Sequence, residues 1–120
     1  LSDRPDHLLP VPLHPKKRKQ RGYNQSEWIA RGLNTLLKLP IDTTSLRRTK
    51  ETETQTHKQT YDRWLNMQDI FSVVAREALA GKHILLIDDV ITTGSTIGAC
   101  AEALLTIPGV QVSVLAIAMA

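Results

Sequence analysis

Two adjacent carboxylates, Asp88 and Asp89, close the apolar run Ile84-Leu85-Leu86-Ile87, and two residues further on come Thr92-Thr93-Gly94-Ser95-Thr96. Carboxylates side by side repel each other, and burying them unpaired is expensive, so a polar or cationic group is expected to face them. Gly94 can take a positive φ without steric cost, hydroxyls line the turn, and a helix starting there points its unpaired N–H groups outward. Such a turn is an anion site, best suited to phosphate. Acids that can hold hydroxyls, beside a cradle that can hold phosphate, describe a sugar-phosphate site. The plain alternative is a core strand followed by an N-capped helix, which does not call for two acids at the strand end. Other nucleotide signatures fit less well. No Gly-x-x-x-x-Gly-Lys-Ser/Thr loop occurs, and Gly94 with Gly98 lacks the three-glycine dinucleotide pattern.

The elements that must position these groups can be read from the pattern. Ile84 to Ile87 is β-branched and apolar without alternation, which suits a central strand covered on both faces of a parallel sheet, with the acids at its carboxyl end where ligands bind. His7 to Val11 reads as a short strand, and Pro12-Leu13-His14-Pro15 as a rigid turn after it. Asn24 with Glu27 forms a capping-box pattern that starts a helix running to about Lys38, stopped by Pro40, with Trp28, Ile29, Leu33, Leu36 and Leu37 as its apolar face. Arg47 to Thr60 is almost wholly polar and reads as a mobile loop of the kind that serves as an active-site lid. Tyr61 to Met67 looks helical, and Ile70 to Val73 like a strand. A helix from Ser95 to about Thr106 and a last buried strand from Val110 to Ala118 complete a β–α–β alternation, which implies a largely parallel sheet with right-handed crossovers.

The 120 residues are enough for one domain with a real core, and 42% hydrophobic content agrees with a globular protein. One cysteine, Cys100, excludes an internal disulfide and reads as a small core residue. No window approaches a membrane span and no leader sequence is visible, so a cytoplasmic location is expected. The absence of an initiator Met at Leu1 raises the expectation of a fragment of a longer protein. A formal charge of +3 is a modest basic excess that a polyanionic ligand could use.

The passage from Ile84 to Thr96 resembles the phosphoribosyl-pyrophosphate (PRPP) motif of type I phosphoribosyltransferases, position by position. Pro10-Val-Pro-Leu-His14 and Arg21-Gly-Tyr-Asn-Gln25 narrow the likeness to the ComF family, as do Leu46-Arg-Arg48, Thr52, Gln55-Thr56, Arg63 and Asn66. The chain departs from that pattern at Thr54 and Lys58, and it lacks the family's N-terminal zinc-binding cysteine cluster. The fold implied is α/β, type I phosphoribosyltransferase-like, a mostly parallel sheet flanked by helices, spanning residues 1–120. The resemblance further implies PRPP and Mg²⁺ as ligands, a role in competence and DNA uptake, and no named acceptor. It puts Asp88 and Asp89 at the ribose hydroxyls, directly or through water and Mg²⁺, and Thr92, Thr93, Gly94, Ser95 and Thr96 around the 5′-phosphate.

Transfer from PRPP needs stabilisation of charge more than a nucleophile. By the same resemblance Pro12, Leu13 and His14 lie where the pyrophosphate loop lies, although a purely structural turn is also compatible with them. Arg47, Arg48 and Lys50 could close on pyrophosphate, with Arg48 and Lys50 favoured as the catalytic cations. The basic run Lys16, Lys17, Arg18, Lys19 and Arg21 admits three readings: a solvated turn, part of the pyrophosphate environment, or a patch for single-stranded DNA, with Tyr23 able to stack a base. Thr92 stands where purine-salvage relatives carry an acid, which disfavours that activity and leaves orotate-type enzymes as the nearest enzymatic alternative. A non-catalytic adaptor that senses PRPP and binds single-stranded DNA or competence proteins is the alternative of another class. Trp28 and Trp64 are expected in the core, His14 at the site, and His7, His57 and His83 at the surface or at strand ends.

Overall fold

The computed structural model describes residues 4–49, 70–91 and 94–119. Strand β1 (His7–Pro10), helix α1 (Pro15–Arg21), helix α2 (Gln25–Leu37), strand β2 (Leu46–Arg48) and strand β3 (Phe71–Val73) come first. Helix α3 (Arg76–Leu79), strand β4 (His83–Ile91), helix α4 (Ser95–Leu105) and strand β5 (Gln111–Met119) follow. The main sheet has the order β1-β4-β5 and is parallel throughout, so β4 is the central strand as its composition requires. This is the expected α/β class: a parallel sheet flanked by helices.

Alternation along the strands sorts the two faces. Leu8 and Ile87 pack with Ala30, Ile29 and Leu33 of α2, while Leu9, Ile84 and Leu86 pack with Cys100 and Leu104 of α4. Leu46 and Phe71, from the antiparallel pair β2–β3, join the α4 side. The larger core lies there, and its loss should be costly. Leu86→Ala removes a fully buried side chain and is expected to destabilise the protein by about 2–5 kcal/mol, read as a lower urea midpoint.

Helix α2 begins at its Asn24 cap, but the box is half made. The Asn24 side chain accepts from the Ser26 N–H at 2.9 Å, and Glu27 turns away to an ion pair with Arg18 at 2.8 Å. The expected apolar face also shifts. Ala30 is buried, whereas Trp28 is 67% exposed and Leu36 83% exposed, so neither packs the core. Trp28 instead meets Tyr23 edge to face, with ring centroids 6.1 Å apart. Trp64 and His57 lie outside the described residues, as does the expected helix from Tyr61 to Met67.

Three further corrections concern elements. The basic run is a helix, α1, rather than a turn: Pro15 enters at its first position, His14 Nδ1 accepts from the Lys16 N–H at 3.2 Å, and Gly22 ends it at φ 81°. Proline there loses no hydrogen bond, and Arg18, Lys19 and Arg21 in the last turn complement the helix dipole. Arg47 and Arg48 belong to β2, where Arg47 registers with Ser72 and Arg48 with Phe71; the rest of the expected lid, from Lys50 on, lies outside the described residues. Strand β5 is not buried. Ile117 is 70% and Met119 83% exposed, because β5 is the sheet's edge and, among the described residues, no strand pairs with its outer side. His83 stands at a strand end, one of the two places expected for it, opening β4; it is buried there, with Nε2 2.7 Å from Ser113 Oγ.

Candidate functional site

The site assembles at the carboxyl end of the sheet. Strand β4 continues past Ile87 through both acids to Ile91, with Asp88 in register with Ala116 of β5. Alternation sends Asp88 to the α4 side, the face of Ile84 and Leu86, and Asp89 to the α2 side. Asp88 is 9% exposed and Asp89 less enclosed. Asp88 Oδ1 accepts the Asp89 N–H at 2.9 Å, and Asp89 Oδ1 accepts the Val90 N–H at 2.8 Å, so each carboxylate keeps an oxygen beyond those bonds. Burial pushes the Asp88 carboxyl up to about 6; Asp89 beside it adds to the rise, and the Arg48 guanidinium opposes it.

That guanidinium is the cation the paired acids call for. Strand β2 carries Arg48 against the same face, its Cζ 5.5 Å from the centroid of the Phe71 ring, and its charge reaches both Asp88 and Cys100. Cys100 is fully buried, and burial pushes its thiol far up, which suits a core residue and not a nucleophile. Arg48 is thus a half-buried strand residue beside the acids rather than a residue of a polar loop.

After β4 the chain turns at Gly94, φ 78°, into the eleven residues of α4. The left-handed φ is one that glycine adopts freely. The amino end of α4, with Ser95 and Thr96 at its first positions, therefore lies just beyond the end of β4 that bears Asp88 and Asp89. Thr92 and Thr93 fall outside the described residues.

On the other side of β4, the Val11 N–H donates to Ile87 O at 2.9 Å, which brings the segment Pro12, Leu13 and His14 alongside the acids. Asn24, buried at the start of α2, donates from Nδ2 to Val11 O at 3.0 Å and ties this segment down. The sequence marked Asn24 as a helix cap, but nothing in it announced this brace. A cleft of about 350 Å³ opens here, walled by Pro12 and Leu13, by Arg18 and Glu27, and by Arg47 and Arg48. Lys16, Arg18, Lys19 and Arg21 are exposed on α1. Arg18 pairs with Glu27, and Arg21 donates to Gln25 Oε1 at 2.7 Å, so those two are committed to α2.

The donor set fits Mg²⁺ in one way. Among the described residues no group of three or more His, Cys, Asp or Glu side chains could hold a metal. Two adjacent carboxylates offer hard oxygens of the kind Mg²⁺ prefers, and an ion bound by few carboxylates takes its remaining positions from water and substrate oxygens. Asp88 and Asp89 would be its protein anchors.

A parallel sheet with two acids and a helix start at the carboxyl end of its central strand defines a phosphoribosyltransferase-type domain. The chain belongs to the phosphoribosyl transferase domain family, whose family model matches residues 20–119. Among individual proteins it is 35% identical over 101 residues to competence protein F of Haemophilus influenzae, covering 83% of this chain and 44% of that protein. It is 34% identical over 101 residues to the DNA utilization protein YhgH of Escherichia coli K12, covering 84% of this chain and 44% of that protein. Competence protein ComFC of Bacillus subtilis is 33% identical over 98 residues, covering 82% of this chain and 38% of that protein. The chain thus spans less than half the length of these curated relatives. Among the described residues no helix is long and apolar enough to cross a membrane.

Proposed function

We propose that this chain is the PRPP-binding domain of a ComF-type protein that serves competence and DNA utilisation in the cytoplasm, and that it transfers a phosphoribosyl group from PRPP with Mg²⁺. The observation that carries the reading is the meeting of Asp88 and Asp89 with the start of α4 at one end of β4. In this reading Asp88 and Asp89 hold the ribose hydroxyls and anchor Mg²⁺. Thr92, Thr93, Gly94, Ser95 and Thr96 surround the 5′-phosphate, which gains from the unpaired amides and the positive end of the helix dipole. Pro12, Leu13 and His14 flank the pyrophosphate, and Arg48 with Lys50 balances the charge it carries away. Held there, Mg²⁺ would supply charge neutralisation for the leaving pyrophosphate. In the transfer a bond forms between the acceptor and the anomeric carbon. The carbon–oxygen bond to pyrophosphate breaks, its electron pair leaves with the pyrophosphate, and the acceptor's proton passes to water.

The test is pyrophosphate release from PRPP and Mg²⁺ with a panel of acceptors. Release that depends on one acceptor supports the transferase. PRPP binding without release for any acceptor sinks the transferase in favour of a PRPP-sensing adaptor.

A reading as a binder of single-stranded DNA has its own support. Lys16 and Lys19 are exposed on α1, and Tyr23 and Trp28 are exposed beside it, a basic surface next to stackable rings. Binding through phosphates should weaken with salt, with a slope of about −0.7 per phosphate neutralised. Lys16→Ala, Lys17→Ala and Lys19→Ala together are expected to flatten that slope by about two units in a fluorescence titration, with PRPP binding retained. An unchanged slope would leave α1 as a solvated helix.

A further inference from the structure

Resting on the phosphoribosyl-transfer reading above, we propose that Arg18 and Glu27 form a latch on the leaving group: the arginine grips pyrophosphate, and the glutamate competes for the arginine and so limits how tightly pyrophosphate is held. Pro12, Leu13 and Arg48, the residues of that reading beside pyrophosphate, wall the cleft of about 350 Å³, and Arg18, Glu27 and Arg47 belong to the same wall. A polyanion there meets Arg18 and Arg47 as well as Arg48. The turn of α1 singles out Arg18 from the rest of the basic run. At 3.6 residues per turn, Lys16 and Lys19 share one face of the helix and Arg18 and Arg21 the opposite one. That second face meets α2, where Arg18 answers Glu27 and Arg21 answers Gln25.

A carboxylate is out of place in a wall that receives a polyanion, because it repels the ligand. Glu27 is nevertheless there, its side chain only 13% exposed. Its position in the first turn of α2 suits the capping box with Asn24, yet it accepts from Arg18 at 2.8 Å instead. This bond uses one guanidinium nitrogen, Nη1, and the Arg18 side chain is 50% exposed, so its other donors can reach an anion before Glu27 is released. Two parallel hydrogen bonds to a phosphate outweigh a single one to a carboxylate. Pyrophosphate therefore takes Arg18 on arrival, and Glu27 reclaims it as pyrophosphate leaves.

The test is calorimetry on the full chain with Mg²⁺ and inorganic pyrophosphate, with ribose 5-phosphate as the probe that carries no leaving group. Arg18→Gln is expected to weaken pyrophosphate about tenfold, the loss of a charge-assisted contact, and to leave ribose 5-phosphate unchanged. Glu27→Gln, which breaks a half-exposed ion pair, should tighten pyrophosphate about threefold. In the double variant the Glu27→Gln gain should vanish, since no arginine is left to compete for. A full threefold gain in the Arg18→Gln background would mean that Glu27 merely repels the ligand, and overturns the latch. Unchanged pyrophosphate binding in Arg18→Gln, or weaker binding in Glu27→Gln, also overturns it. The pair would then only tie α1 to α2, and both variants would lose melting temperature alike. Failure of both PRPP and ribose 5-phosphate to bind the wild type would instead count against the function proposed above.

Discussion

Replacing Asp88 and Asp89 together by Asn is expected to erase most of the stabilisation that PRPP with Mg²⁺ should confer on the protein. A ligand bound by the native state alone adds RT ln(1 + [L]/Kd), which is about 2.7 kcal/mol at a hundredfold excess over Kd. The wild type should therefore melt several degrees higher with ligand, and the double variant should keep only a small part of that shift. Asn keeps the volume and one acceptor oxygen of each side chain but removes the charges proposed to hold hydroxyls and anchor Mg²⁺. The amino end of α4 would still attract the 5′-phosphate, so a small residual shift is compatible with the assignment. A full shift in the double variant would mean that the acids take no part in binding.

The second large effect runs the other way. Without ligand, Asp88→Asn alone is expected to stabilise the protein at neutral pH, because burial lifts this carboxyl from 3.8 to about 6. A group whose folded pKa is raised contributes stability that is fully present below the unfolded value and is lost as pH rises through the folded one. The loss at Asp88 thus runs from about pH 4 to a little above pH 6. The gain from Asn at pH 7 should be on the order of 1 kcal/mol, once solvent access to the carboxylate is allowed for. Urea unfolding of both proteins at pH 4 and pH 7 measures it: the two should converge at the lower pH. A variant less stable than wild type at pH 7 would mean that ligand-free Asp88 is a favourable partner of Arg48 and not a stored cost. The acid proposed to bind the ligand is one the empty fold would be better without.

Much of the site was legible because its requirements are local. A strand buried on both faces leaves no room for alternation, so Ile84 to Ile87 betrays β4, and acids placed there need a ligand or a cation to justify them. The fold class followed from the same segment and the helices around it. What escaped depended on partners distant in sequence. The polar composition from Arg47 onward hid β2, because Leu46 contributes its one buried anchor and β3 supplies the pairing. Helix α1 carried readable signals in Pro15 and Gly22, but seven residues with no apolar face offered no period to detect. The apolar run of β5 predicts a buried strand, yet burial depends on neighbours that a run of residues does not reveal. Trp28 fell on helical spacing with Ile29 and Leu33, while the tight approach of α2 to β1 is made at Ala30, where a small side chain fits.

The parallel pairing of β1 with β4 also sets a timetable. Asp6 and His83 are hydrogen-bonded across 77 positions of the chain. At synthesis rates of about 5–20 residues per second, β1 waits roughly 4–15 seconds on the ribosome before its neighbour exists. During that interval Leu8 can find Ala30 on the newly made α2, but Leu9 has only early partners such as Leu46 and Phe71 until β4 and α4 complete its cluster. Because β4 carries both acids and leads into α4, the proposed ligand binding is acquired only once β4 and the start of α4 have been translated. A nascent chain cut short before α4 would have β1 and α2 but not the helix start proposed to hold the 5′-phosphate, so PRPP would rescue molecules that carry α4 and not those interrupted before it.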